Sequence, residues 1–314
     1  MVKIDLITGF LGSGKTTFIK KYAGYLIDKG LNIGILENDF GAVNVDMMLL
    51  QDLTGDRCEL EMISGGCDME THRRRFRTKL ISMGMCGYDR VLVEPSGIYD
   101  MDEFFDVLQD EPLDKWYEIG NVIVMVNAKL ENEMSEAADY LLASEAANAG
   151  CIILSRADEA TPEEINDTIL HLNRSLKQIN CGRILDKEIL RRNGEELSAQ
   201  DFDKILNCGY VLENYCKMDL ENKEAFESLY FMNVKMTETE LRKAVERMMR
   251  DRSCGDIFRI KGFLKTPDDK WIQMNATHHE INMEPIKSGQ EVLIVIGANL
   301  AEDNIRKYFG RQAL

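Results

Sequence analysis

Residues Gly9-Phe10-Leu11-Gly12-Ser13-Gly14-Lys15-Thr16-Thr17 carry the spacing GxxxxGK[ST]. Chemistry of this kind is phosphate chemistry. Gly9, Gly12 and Gly14 allow the backbone to turn its N–H groups inward around an anion, with Ser13 and Thr17 among the binding candidates. Lys15 supplies a point charge toward β- and γ-phosphates, and the Thr16 hydroxyl can hold Mg²⁺. Three later loops carry polar residues where such a site needs them. Glu37-Asn38-Asp39-Phe40-Gly41 follows the apolar run Ile33–Leu36 and adds Asp39 to the catalytic candidates Lys15 and Glu94. Glu94-Pro95-Ser96-Gly97 follows Val91-Leu92-Val93, so Glu94 can hold a Mg²⁺-bound water and Gly97 can bring an N–H to a γ-phosphate. Ser155-Arg156-Ala157-Asp158 is the third. A carboxylate at Asp158 can accept from guanine N1–H and its 2-amino group, which adenine cannot reciprocate, and the Arg156 stem and plane can lie over a base. Ser155 lacks the amide that an asparagine would offer there.

These loops need strands to hold them. Apolar strand candidates at 4–8, 33–36, 91–93, 122–126 and 151–154 alternate with segments of helical period, the pattern of an α/β fold. With the phosphate loop, the expected fold is a P-loop NTPase with a mostly parallel sheet flanked by helices. Thr161-Pro162-Glu163-Glu164 predicts a helix start by capping box with proline in the first turn, and the apolar face runs Ile165, Ile169, Leu172, Leu176, Ile179. In such sheets ligands collect at the carboxyl ends of strands, where all four loops fall.

The 314 residues suit two domains. The expected division is a nucleotide domain at 1–212, a polar linker at 213–227 and a smaller α+β domain at 228–314. The latter has a strand at 229–235, a helix opened by Thr237-Glu238-Thr239-Glu240, a hairpin of 257–264 with 270–274, a strand at 292–296 and a last helix to Phe309. A formal charge of −16 speaks against a nucleic-acid partner. Two basic and twelve acidic residues fall within 101–150 alone, whereas Arg73-Arg74-Arg75-Phe76-Arg77-Thr78-Lys79 is a basic run. The basic run reads foremost as a solvated helix face paired with the protein's own acids. No apolar stretch is long enough to span a membrane, and the first residues lack a signal-peptide pattern, so the expected setting is the cytoplasm without membrane contact. Eight cysteines without a CxxC pair and only four histidines do not make a zinc finger. The adjacent His278 and His279 read as surface polarity ahead of ligation.

GFLGSGKTT at 9–17, ENDFG at 37–41, SGGC at 64–67, EPSG at 94–97 and SRAD at 155–158 together resemble the CobW-type GTPases of metal homeostasis. Those are relatives of the nickel-insertion GTPases of urease and hydrogenase maturation. Arg259–Leu264, Ile294–Gly297, Asn299, Leu300 and Phe309 resemble the CobW C-terminal domain. The resemblance implies a GTP-hydrolysing metal chaperone or metalloenzyme assembly factor. It would use Mg²⁺, load Zn²⁺ or Co²⁺ and deliver the metal to a client metalloprotein or cofactor enzyme. The family's Gly-Cys-x-Cys-Cys segment corresponds to Gly66-Cys67-Asp68-Met69-Glu70, which retains one cysteine, and Ala42 stands where an acid often follows the first switch motif. The remaining ligand set is Glu37, Cys67 and Glu70, with Asp68 or His72 in reach of a fourth position. Two alternatives stay open: a metal-independent GTPase switch that activates a cofactor enzyme, and an ATP-dependent kinase on the same fold. Monomer and homodimer both stay open as the assembled state.

Overall fold

The computed structural model of the chain describes residues 1–10, 12–38, 49–63, 69–95, 101–131, 134–192, 197–216, 227–278, 280–286, 289 and 291–309. It divides into two compact units, Met1–Met218 and Asp219–Leu314.

Among the described residues the first unit is built on seven strands: β1 (Val2–Thr8), β2 (Ile33–Asn38), β3 (Cys58–Ile63), β4 (Arg90–Pro95), β5 (Tyr117–Asn127), β6 (Cys151–Ser155) and β7 (Ile189–Leu190). Their order is β3-β2-β4-β1-β5-β6-β7, and every pairing is parallel. Parallel strands covered on both faces need apolar side chains in both directions, and all of β4 and β6 is buried. Helix α1 (Lys15–Asp28) returns over one face. It lays Phe18, Ile19, Tyr22 and Leu26 on Ile7, Ile35, Leu92, Ile123 and Ile153, each fully buried apolar side chain contributing about 1.5–3 kcal/mol. Around it run α2 (Met69–Gly84), α3 (Met101–Gln109), α4 (Leu113–Trp116), α5 (Glu136–Asn148), α6 (Pro162–Gln178) and α7 (Ala199–Leu206).

The expected start of α6 is present in full. The Thr161 hydroxyl accepts from Glu164 N at 3.2 Å and the Glu164 carboxylate accepts from Thr161 N at 2.8 Å. Two strands do not show in the apolar pattern. In β3, Glu59 and Glu61 interrupt the apolar run, which an edge strand tolerates, and β7 is only two residues long. The basic run lies on α2 as a helix face with partners: Arg73 and Arg77 approach Asp110 at 4.0 and 3.8 Å, and Lys79 pairs with Glu61 at 2.7 Å.

The centre of the sheet contains a buried ionic network. Asp5 on β1 accepts from Arg90 on β4 at 2.6 Å, from Tyr22 OH at 2.9 Å and from the Asn121 backbone N–H at 2.9 Å. Asn121 Oδ1 in turn accepts from Gly209 N at 2.8 Å, which ties the sheet to the segment following α7. Gly120 has no room for a side chain, since a Cβ there would meet Asp5 Oδ1 at 2.4 Å.

The second unit pairs β8 (Glu227–Met232), β9 (Asp256–Lys265), β10 (Trp271–Ala276), β11 (Ile281–Ile286) and β12 (Val292–Ala298) in the antiparallel order β11-β10-β9-β12-β8. Helices α8 (Glu238–Met248) and α9 (Glu302–Phe309) bring Leu241, Val245, Met248, Ile305 and Phe309 into a core with Ile260, Leu264, Leu293 and Val295. The capping box at Thr237 and the turn closed by Thr266 N to Lys270 O at 2.9 Å match the sequence pattern. Strand β11 escapes it because Pro285 and alternating polar residues disguise an edge strand. No helix among the described residues is long and apolar enough to cross a membrane.

Candidate nucleotide site

The phosphate loop forms where β1 ends and α1 begins. Gly9, Gly12 and Gly14 have φ of 142°, 81° and 85°, values that strongly favour glycine. At Gly9 a side chain is also excluded by contact, because a Cβ would lie 2.2 Å from Met125 O. Gly14 caps α1 and its carbonyl accepts from Phe18 N at 3.1 Å. The first turn of α1 holds no acidic residue, so the positive end of the helix dipole meets the loop without a competing carboxylate. Lys15 Nζ folds back to donate to Gly9 O at 2.8 Å. Ser13 is buried and Thr17 exposed at the same turn.

The Thr16 hydroxyl donates to Glu94 Oε1 at 3.2 Å across 78 residues of sequence, so the two residues expected to share Mg²⁺ meet. Glu37 stands opposite Glu94 in the β2–β4 register. Both glutamates are buried. Hard oxygen donors of this type fit Mg²⁺.

The third loop leaves β6 directly beside the phosphate loop. A Cβ on Gly14 would lie 3.7 Å from Ser155 Cβ. Ser155 is buried and donates its hydroxyl to Val126 O at 3.3 Å, while its carbonyl accepts from Ala128 N at 2.9 Å. Arg156 turns the chain with φ of 56°, and Asp158 is exposed two residues on. Asn127 stands opposite Ser155 in the β5–β6 register, so an amide does border this loop from the neighbouring strand.

Asp39, Cys67 and Gly97 lie outside the described residues, as does His279. Glu70 belongs to the first turn of α2, and His72 is buried on the same helix. Among the described residues no three His, Cys, Asp or Glu side chains are gathered for a metal ion. His278 is exposed.

One residue at the site is not evident from sequence. Glu145, in the last turn of α5, is 1% exposed, and its Oε1 accepts from the Thr8 hydroxyl at 2.7 Å. Burial pushes its carboxyl up to about 7, against the opposing effects of the Thr8 hydroxyl, the Lys15 ammonium and the Gly9 backbone. Its one signal is a lone acid in the small and apolar stretch Leu141–Ala149.

Residues 3–185 match the family described as "CobW/HypB/UreG, nucleotide-binding domain", and residues 232–312 match "Cobalamin synthesis protein cobW C-terminal domain". The zinc chaperone YeiR of Escherichia coli (strain K12) is 30% identical over 164 residues, covering 52% of this chain and 49% of the relative. The zinc chaperone YjiA of the same organism is 27% identical over 182 residues, 55% of each. The zinc-regulated GTPase metalloprotein activator 1 of Schizosaccharomyces pombe (strain 972 / ATCC 24843) is 22% identical over 343 residues, covering 95% of this chain and 83% of the relative. The chain thus spans about half the length of the two bacterial relatives.

Proposed function

This chain belongs to the CobW/HypB/UreG family, and on that premise we propose that it binds and hydrolyses GTP with Mg²⁺ and couples nucleotide state to carrying a zinc-class metal to a client protein. The observation that carries the nucleotide half is the convergence of Lys15, Thr16, Glu94 and the Ser155–Asp158 loop on one end of the sheet.

In this reading the loop amides and Lys15 hold the phosphates, and Lys15 exchanges its bond to Gly9 O for the phosphate oxygens. Thr16 and Glu94 would hold Mg²⁺, which would supply charge neutralisation for the phosphates when bound. Asp39 and Gly97, which follow β2 and β4 in sequence, are the candidates for contact with the γ-phosphate. Asp158, exposed beyond the left-handed turn at Arg156, reads the guanine edge. Hydrolysis here is a matter of positioning and charge neutralisation, so turnover is slow without a partner. The metal is cargo: Glu37, Cys67 and Glu70 are its candidate donors by sequence, and one thiolate with carboxylates suits zinc or cobalt. The setting is cytoplasmic, and the partner is a metalloprotein or cofactor enzyme. Homology to proteins named zinc chaperones supports the cargo over a metal-independent switch.

Competition of GTP and ATP against a fluorescent guanine nucleotide, followed by phosphate release with and without Mg²⁺, tests the nucleotide half. Preference for GTP and Mg²⁺-dependent release are expected. Equal competition by ATP would return the site to the kinase alternative.

A further inference from the structure

Thr8 ends β1 and Gly9 opens the phosphate loop, and each is held by a buried charged side chain. Glu145 accepts from the Thr8 hydroxyl at 2.7 Å, and Lys15 donates to Gly9 O at 2.8 Å. The two contacts put one carboxylate and one ammonium on consecutive residues, close enough for the Lys15 ammonium to act on the Glu145 carboxyl. Both charged groups are buried, so neither is screened by bulk water.

We propose that Glu145 positions the start of the phosphate loop through Thr8 and takes up a proton when nucleotide phosphates arrive, so that guanine-nucleotide affinity falls as pH rises through neutrality. The inference rests on the nucleotide-site reading above. Its physical basis is a change of company. In the nucleotide-free chain Lys15 partly offsets the carboxylate charge. A bound polyphosphate draws Lys15 to itself and adds negative charge beside the loop that Thr8 and Gly9 open. Both changes disfavour the ionised carboxylate. The proton comes from solvent and ends on a carboxylate oxygen of Glu145; no bond to the nucleotide forms or breaks.

Among the described residues, the other charged groups near Glu145 are engaged elsewhere. Arg183 donates to the carbonyls of Ala146 and Ala147 at 3.0 Å and faces Glu188 at 3.9 Å. Asp139, on the same helix, is engaged by His171 of α6 at 2.6 Å. On β1, Asp5 belongs to the Arg90 network. The carboxyl's place in the last turn of α5 adds the negative end of the helix dipole, which also favours the protonated form. Burial has already moved the group to about 7, where a modest change in surroundings moves a proton.

Calorimetric titration of the full chain with GDP and Mg²⁺ at pH 7, in buffers of different ionisation enthalpy, reads the proton directly. The wild type is expected to take up about half a proton more per GDP than Glu145→Gln. The affinities of the two should agree at pH 6 and diverge toward pH 8, with the wild type weaker by up to about tenfold. Equal buffer dependence in the two proteins would overturn the proposal. Thr8→Val is the second test, since loss of the hydroxyl should move the pH of maximal uptake upward; an unmoved maximum would also overturn it. Failure of the wild type to bind GDP at all would instead remove the nucleotide-site reading.

Discussion

Strand β1 carries a buried polar group at its middle and another at its end, and their partners differ. Asp5 is met by a guanidinium, a phenol and an amide, and the whole set is built from the fold itself. Burial raises the Asp5 carboxyl, and Arg90, Tyr22 and Asn121 all oppose that rise. Three residues further on, Thr8 meets Glu145, whose opposing partners are one hydroxyl, the loop backbone and a lysine that the nucleotide is expected to recruit. Desolvation acts on both carboxyls. The difference lies in whether the compensating charge is permanent, and that separates a group that holds the sheet from one that can answer a ligand.

The largest expected effect tests the permanent side. Arg90→Ala leaves Asp5 buried without its guanidinium, which should cost about 3–5 kcal/mol in denaturant unfolding. The folded fraction should retain its GDP affinity. A loss below about 1 kcal/mol would erase the contrast. Glu145→Gln should act in the opposite direction. The native carboxyl keeps its proton to about pH 7 while the unfolded one loses it near 4.5. Stability from this group is therefore full below the lower value and is lost as pH rises through the window between them. Relative to wild type, the variant should gain about 2.5 kcal/mol between pH 5 and pH 8, at about 1.4 kcal/mol for each pH unit crossed inside that window. Thermal unfolding at the two pH values measures it.

Asp158→Asn moves away from β1 to the base. It should reduce discrimination between GDP and ADP by about 2 kcal/mol, roughly thirtyfold, because the carboxylate that accepts two guanine donors is gone. Competition binding checks it, and unchanged discrimination would assign the base to Asn127 or Arg156. The smallest effect belongs to Thr8→Val. It should cost about 1 kcal/mol of stability and raise the Glu145 carboxyl further, visible as a displaced midpoint in stability against pH.

The phosphate loop was legible in the sequence because its requirement is local: glycines where φ is positive, then a lysine and a hydroxyl opening a helix. The strands that support it were legible where both faces are buried and the residues are uniformly apolar, as in Val91–Val93. Glu59 and Glu61 concealed β3, and Pro285 concealed β11, because edge strands need not look apolar. The two buried networks were not legible at all. Asp5 and Arg90 are 85 residues apart and Thr8 and Glu145 are 137 apart, so only the strand order brings them together. The proposed ligand set for a cargo metal is the converse case: its residues are named from a family pattern, and Cys67 lies beyond the described residues.

Whether guanine-nucleotide state governs metal carriage by this protein is decided by equilibrium titration of Zn²⁺ into the untagged full chain. The titration is run with no nucleotide, with GDP and with a non-hydrolysable GTP analogue, beside Cys67→Ala. Binding tighter than micromolar that changes with the nucleotide and weakens in the variant is expected. No binding tighter than micromolar in any nucleotide state would contradict it and leave a GTPase switch without cargo.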